Sequence, residues 1–294
     1  MESAEVSRAV AAATSIAEGL GLPADDAVVL HNSNKLALRL LPGDVFARVA
    51  PAGQGLAGFE VELAQRLAAA GSPVAALDPR VEPRGYERDG FEVTLWTYYE
   101  PVTQGVSAAG YADALNRLHG GMRMVDVPAP HFTDRVADVP GHVASTPALD
   151  DSDRQLLSSR LRDLRRAVED RGAPEQLLHG EPHPGNLLST KRGPLFIDLE
   201  TCCRGPVEFD LAHVPAAVSE HYPDVDQALL RDCRGLVLAV VAKHRCDPGD
   251  QFPNRQRALH DLLGALRSGP PWPPLDVVMR ESVRTTGPSS VSRP

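Results

Sequence analysis

The sequence has no run of 18 or more apolar residues, so nothing in it reads as a membrane-spanning helix. Its opening, "MESAEVSRAVAAATSIAEGL", has no basic stretch ahead of an apolar one. That excludes the ordinary form of secretory signal and leaves a first helix in a protein expected to be cytoplasmic. Cysteine is scarce: Cys202, Cys203, Cys233 and Cys246 form no C-x-x-C pair, so buried, reduced thiols are expected rather than a metal or redox site. A basic excess is also missing. The formal net charge of −9 argues against a nucleic-acid partner and is compatible with a cationic small molecule. There is no internal repeat and no glycine-rich loop.

What is present is a change of character along 294 residues, enough chain for two lobes with separate cores. After a helix near 5–20, "DAVVLHNSN" reads as a strand entering a polar turn. "KLALRLL" and "VFARVA" alternate around the turn Pro42-Gly43-Asp44 and read as a hairpin. "LAGFEVELAQRLAAAG" has helical spacing and stops at Gly71, and "FEVTLWTYY" is a strand. Beyond "EPV" the pattern turns helical. A helix in "AAGYADALNRLHGGM" is followed by a Pro- and Asp-rich loop over 125–150. An amphipathic helix then starts at a capping box of Ser152 and Gln155 and stops at Gly172. Two short strands near 186–189 and 194–198 precede helices near 207–221, 225–245 and 254–268.

The stretch "LLHGEPHPGNLL" over 177–188 concentrates His179, Glu181, His183 and Asn186. One reading is a metal site, since His/Glu/His is a zinc ligand set, although Pro182, Pro184 and Gly185 break regular strand pairing. It would make the chain a metal-dependent hydrolase. A second reading is a Pro/Gly loop whose histidines only fill space and satisfy hydrogen bonds. A third takes in the apolar strand "LFIDLE", which ends in Asp198 and Glu200. A loop carboxylate, an asparagine five residues on and an aspartate ending the next strand form the set that phosphoryl transfer needs: a proton acceptor and hard oxygen ligands for Mg²⁺.

Together, "HGEPHPGN", "FIDLE" and "GPVEFDLA" resemble the aminoglycoside phosphotransferase family, which phosphorylates hydroxyls of antibiotics, choline and related small molecules. Its catalytic loop reads H-x-D-x-x-x-x-N, where this chain has His179, Glu181 and Asn186. Its metal strand reads I-D-x-E, matched by Ile197 to Glu200, and G-x-x-x-x-D-L-A is matched from Gly205 through Asp210 to Ala212. The resemblance implies an α+β, two-lobed protein-kinase-like fold. A small antiparallel β-rich N-lobe would span 1–98, a larger α-helical C-lobe 99–275, and a disordered tail 276–294. It implies ATP or GTP with Mg²⁺ as cofactors, a small-molecule hydroxyl acceptor as partner, and a place in antibiotic resistance as one outcome. It further implies Asn186 and Asp198 as metal ligands with Glu200 beside them, Glu181 as catalytic base with His179 bracing its loop through Asp210, and Arg48 paired with Glu60 at the phosphates. Ser33 and Asn34 would meet the nucleotide, and Tyr98 would lie near the adenine at an inter-lobe hinge.

Glu181 stands where the family has aspartate. Its side chain is longer by one carbon–carbon bond, ~1.5 Å, and a displacement near 1 Å can cost about a hundredfold in rate. An active kinase is expected, with a catalytically weak, pseudokinase-like nucleotide binder as the alternative. For the acceptor, the acidic residues Glu208, Glu220, Asp224 and Asp226 are candidates to meet a cationic ligand.

Overall fold

The structure, a computed structural model, describes residues 1–284 except 34, 54, 55, 103, 104, 138–142, 144, 145, 147, 148, 251 and 253. No helix among the described residues is long and apolar enough to cross a membrane. By packing, the chain divides into two compact units, Met1–Pro128 with Gly185–Cys202, and Ala129–Pro184 with Cys203–Pro294. This differs from a cut at 98/99, because residues 99–128 and 185–202 pack with the N-terminal segment.

The first unit is built on a five-stranded antiparallel sheet: β1 (Ala24–Asn32), β2 (Leu36–Pro42), β3 (Val45–Pro51), β4 (Tyr86–Arg88) and β5 (Phe91–Thr97), in the order β1-β2-β3-β5-β4. Strand alternation sorts its faces. Leu36, Leu38 and Leu40, Val45, Ala47 and Val49, and Phe91, Val93 and Leu95 are buried on one face. Helix α1 (Ser3–Gly19) covers them with Ala9, Ala12, Ala13, Ile16 and Ala17, spaced at three and four residues. The opposite face therefore carries the residues of the other parity. The register sets Ala37 against Arg48, Arg48 against Thr94, Ala50 against Glu92 and Phe46 against Trp96. Helix α2 (Leu56–Ala69) brings Glu60 to this face, where it bonds Arg48.

The same unit contains α3 (Ala108–Met122) and the hairpin β6 (Leu187–Thr190) with β7 (Gly193–Phe196). Phe196 is fully buried and its backbone bonds Pro73 and Ala75, while Tyr111 of α3 lies 6.0 Å from its ring. The hairpin is thus anchored by its apolar arm, which fixes whatever its ends carry.

Among its described residues the second unit is mainly helical, with a short pairing of Gln176–Leu178 with Cys203–Gly205 and a single bridge from His131 to Arg204. Its helices are α4 (Phe132–Val136), α5 (Asp151–Glu169), α6 (Val207–Leu211), α7 (Ala216–His221), α8 (Gln227–Cys246), α9 (Arg255–Ser268) and α10 (Leu275–Arg284). Helix α8 is its central member, burying Leu229, Leu236, Val237 and Val240.

Several expectations are corrected by these elements. The cap of α5 is Asp150, whose side chain accepts from the Asp153 N–H, rather than Ser152. The helix expected over 207–221 breaks in two at Pro215, whose ring cannot continue an intrahelical bond. The disordered tail expected from 276 does not hold for its first part. Residues 275–284 form α10, which packs along α9, and 285–294 lie outside the described residues.

Candidate active site

In the first unit, the hairpin gathers the oxygen donors. Leu187 pairs with Phe196, and one step further out the Ile197 N–H donates to the Asn186 carbonyl at 3.0 Å. Asn186 therefore faces Ile197, with Asp198 the next residue out, so the two mark the open end of one hairpin from its two arms. Asn186 is buried and closes the short 3₁₀ turn Pro184–Asn186. Asp198 adopts a left-handed backbone, φ 67° and ψ 59°, which ends the strand and starts the turn Leu199–Thr201. Aspartate is among the few residues that tolerate this conformation.

Arg48 organises the charges around that end. Its guanidinium donates to Glu60 Oε1 at 2.6 Å and to Asp198 Oδ1 at 2.5 Å, with Glu200 Oε1 at 3.6 Å. Glu60 is only 2 % exposed and its Oε1 also accepts from the Leu199 N–H at 3.1 Å. Burial pushes the Glu60 carboxyl up in pKa while Arg48 opposes the rise. Burial works against the Arg48 charge, but Glu60 and Asp198 outweigh it and hold the guanidinium firmly charged. The fork geometry of arginine lets one cation bridge a helix carboxylate and a strand-end carboxylate together.

A residue that sequence reasoning missed lies beside them. Lys35 forms an ion pair with Glu200 and lines a pocket with Arg48, Ala50, Glu60, Glu92 and Thr94. Burial and the neighbouring Arg48 charge lower its pKa. The signal that could have found it is parity: Lys35 falls two residues before Ala37, which faces Arg48 in the hairpin.

Of the expected nucleotide contacts, Asn34 lies outside the described residues. Ser33 directs its N–H and its hydroxyl to the Lys35 carbonyl, closing the β1–β2 turn on itself. Tyr98 lies under the Arg39 guanidinium, 4.1 Å from its ring centre. Its hydroxyl accepts from Arg39 at 3.4 Å.

In the second unit, the loop after Leu178 is shaped by Asp210. That carboxylate, fully buried, accepts from the backbone N–H of His179 at 2.9 Å and of Gly180 at 2.8 Å. The loop is gripped through its backbone, and the His179 ring turns inward to accept from the Glu181 N–H at 3.4 Å. Gly180 has φ 87°, a turn that a side chain would strain. Glu181 meets Arg135 of α4 at 2.5 Å. Burial would raise the Glu181 pKa, but Arg135, with His213, His244 and His183 nearby, pulls it down to about 2. Burial in turn drives His213 down to about 4 and pushes the Cys203 thiol, which also meets Arg135, up to about 12. No signal for Arg135 was available in the sequence, since its partner lies 46 positions away in a segment read as loop.

The zinc arrangement of His179, Glu181 and His183 is not formed. Among the described residues no group of three or more His, Cys, Asp or Glu side chains could hold a metal ion, and Glu181 is taken by Arg135. Of the acidic candidates for a cationic acceptor, two serve the backbone: Glu208 accepts from the Asp226 N–H, and Asp226 caps α8 through Ala228 and Leu229.

A model of the phosphotransferase enzyme family (APH) matches residues 29–233. No curated protein matches the chain. Solved structures with the same fold include the amicoumacin kinase hAmiN, in complex with AMP-PNP, Ca²⁺ and Ami. It is 12% identical with a TM-score of 0.68, over 94% of this chain and 100% of that one. Spectinomycin phosphotransferase APH(9)-Ia, with ADP and spectinomycin, is 14% identical at TM-score 0.60, over 92% of this chain and 98% of that one. A thermostable mutant of aminoglycoside phosphotransferase APH(4)-Ia, with AMP-PNP and hygromycin B, is 13% identical at 0.63, over 87% and 97%.

Proposed function

The chain belongs to the phosphotransferase enzyme family, and from that membership we propose that it transfers the γ-phosphoryl group of ATP or GTP to a hydroxyl of an aminoglycoside-like or other small-molecule acceptor. The observation that carries this reading is the hairpin end, where Asn186 bonds Ile197, and Asp198, the next residue, is held by the Arg48–Glu60 pair. That the neighbouring folds are kinases and phosphotransferases crystallised with AMP-PNP or ADP together with Ami, spectinomycin or hygromycin B supports it.

An amide oxygen and a carboxylate are hard donors of the kind Mg²⁺ takes, so Asn186 and Asp198 fit as its holders, with Glu200 adjoining. Bound with the nucleotide, Mg²⁺ would supply charge neutralisation at the phosphate oxygens. Arg48 holds Asp198 in place from β3 and offers its remaining N–H groups to phosphate. Asp210 fixes the backbone from His179 to Gly180 and so fixes where Glu181 starts. Glu181 receives the acceptor hydroxyl. With its pKa near 2 it is a weak proton acceptor, so its first work is to orient the alcohol, and it takes the proton only as the alcohol oxygen bonds to phosphorus and the γ-phosphorus–oxygen bond to the departing nucleoside diphosphate breaks. Phosphoryl transfer tolerates this, because positioning and charge neutralisation dominate its catalysis.

The low basicity of Glu181 also favours a second reading, a nucleotide binder that turns over poorly. NTP turnover against a panel of aminoglycosides and amino alcohols, with Asp198→Asn as the inactive control, separates the two. The kinase reading expects at least one acceptor-dependent, Asp198-dependent turnover. Nucleotide binding without turnover on any hydroxyl would sink it.

A further inference from the structure

We propose that Lys35, projecting from the start of β2, is a second phosphate-binding cation of the nucleotide site. The inference rests on the kinase reading and adds a residue that reading does not use. Three observations carry it. First, Arg48 is already committed, with two carboxylate bonds of 2.6 Å or less and a third carboxylate at 3.6 Å, so its charge is divided among Glu60, Asp198 and Glu200. Second, the β2–β3 register carries Lys35 to the same sheet face, one parity step before Ala37, which pairs with Arg48. Its ammonium reaches Glu200, two residues from Asp198. Third, the pocket it shares with Arg48 is lined also by Ala50 and Ala57, whose short side chains take up little of it.

Charge decides the matter. Glu60, Glu92, Asp198 and Glu200 set four carboxylates against two cations around this pocket. A polyphosphate approaching Arg48 alone would meet a net negative field. Lysine is suited to relieve it, as a point charge on a flexible stem with three donors that can turn from one acceptor to another. Because Lys35 and Arg48 come from adjacent strands, the two would grip the phosphate end of the nucleotide and leave the base and ribose untouched.

The test measures binding of AMP, MgADP and MgATP to the full chain by calorimetry, for the native protein and for Lys35→Met, Lys35→Gln and Lys35→Arg. A lost charge-assisted contact is expected to weaken MgATP and MgADP by about tenfold or more in the two neutral variants. AMP should change by less than about twofold, and Lys35→Arg should recover most of the loss. Thermal midpoints without nucleotide report the Glu200 pair separately, and the glutamine variant serves if methionine disturbs the sheet. Equal losses for AMP and MgATP, or no loss for MgATP, would overturn the assignment and leave Lys35 a structural partner of Glu200. Failure of the native protein to bind MgATP or MgADP would instead overturn the kinase reading on which the inference rests.

Discussion

Replacing Arg135 by methionine removes the guanidinium while keeping much of its buried stem. Glu181 then stays buried without its closest cation. In the native protein Arg135 outweighs burial and brings the Glu181 carboxyl from its ordinary 4.5 to about 2. At about 1.4 kcal/mol per pH unit, that displacement corresponds to about 3 kcal/mol of folding stability at neutral pH. The figure agrees with the ~3–5 kcal/mol expected when one partner of a buried ion pair is deleted. The sign follows from linkage. A carboxyl whose folded pKa lies below its unfolded value contributes in full above about pH 4.5, and that contribution drains away as pH falls toward 2. Denaturant unfolding of both proteins at pH 7 should therefore show a deficit of about 3 kcal/mol for Arg135→Met, narrowing below pH 4.5. The turnover profile should change with it, gaining an acidic limb above pH 4.5 because burial now holds the carboxyl protonated. A deficit under about 1 kcal/mol at pH 7, with an unaltered acid limb, would refute the view that Arg135 keeps Glu181 ionised.

Two further outcomes are expected. Asp210→Ala removes the acceptor of the His179 and Gly180 N–H groups, and a loop displaced by about 1 Å should lower kcat roughly a hundredfold with a smaller effect on nucleotide affinity; a native kcat would show that the loop holds its shape without that carboxylate. Gly235→Ala sets a Cβ 2.6 Å from Trp272 Nε1, with two further ring atoms within 3.0 Å, so α8 should lose about 1–3 kcal/mol in denaturant unfolding, whereas a neutral result would mean Trp272 moves aside freely.

Much of the first unit could be read from the sequence, because its elements carry strong local signals. Alternation on both sides of Pro42-Gly43-Asp44 located the β2–β3 hairpin, and with it the strand that presents Arg48. Helical spacing before Gly71 located α2 and Glu60. Asn186 and Asp198 were legible as a pair because a hairpin joins them and its register is local. The misses share a physical cause. Arg135 and Glu181 meet through tertiary packing across 46 positions, and α4 is too short to show a period. The three-residue pairing of Gln176–Leu178 with Cys203–Gly205 is likewise too brief to alternate. Ser152 with Gln155 satisfied the pattern of a capping box, yet Asp150, two residues earlier, took the role because its carboxylate reaches the Asp153 N–H. Lys35 was overlooked because it opens the strand "KLALRLL" next to a polar turn, and only its parity with Ala37 places it on the face of Arg48.

The hairpin of β6 and β7 also determines how this region can vary. Its tip, Lys191 and Arg192, is closed by Thr190 bonding the Gly193 carbonyl and the Arg192 N–H. Asn186 and Asp198 lie at the far end, on opposite arms. Lengthening the tip leaves the distance between the two donors unchanged, so this turn is free to drift in size and charge. One residue inserted within either arm would rotate every side chain beyond it to the other side of the ribbon and separate amide from carboxylate. The ribbon acts as calipers set at the wide end, indifferent to what happens at the pivot.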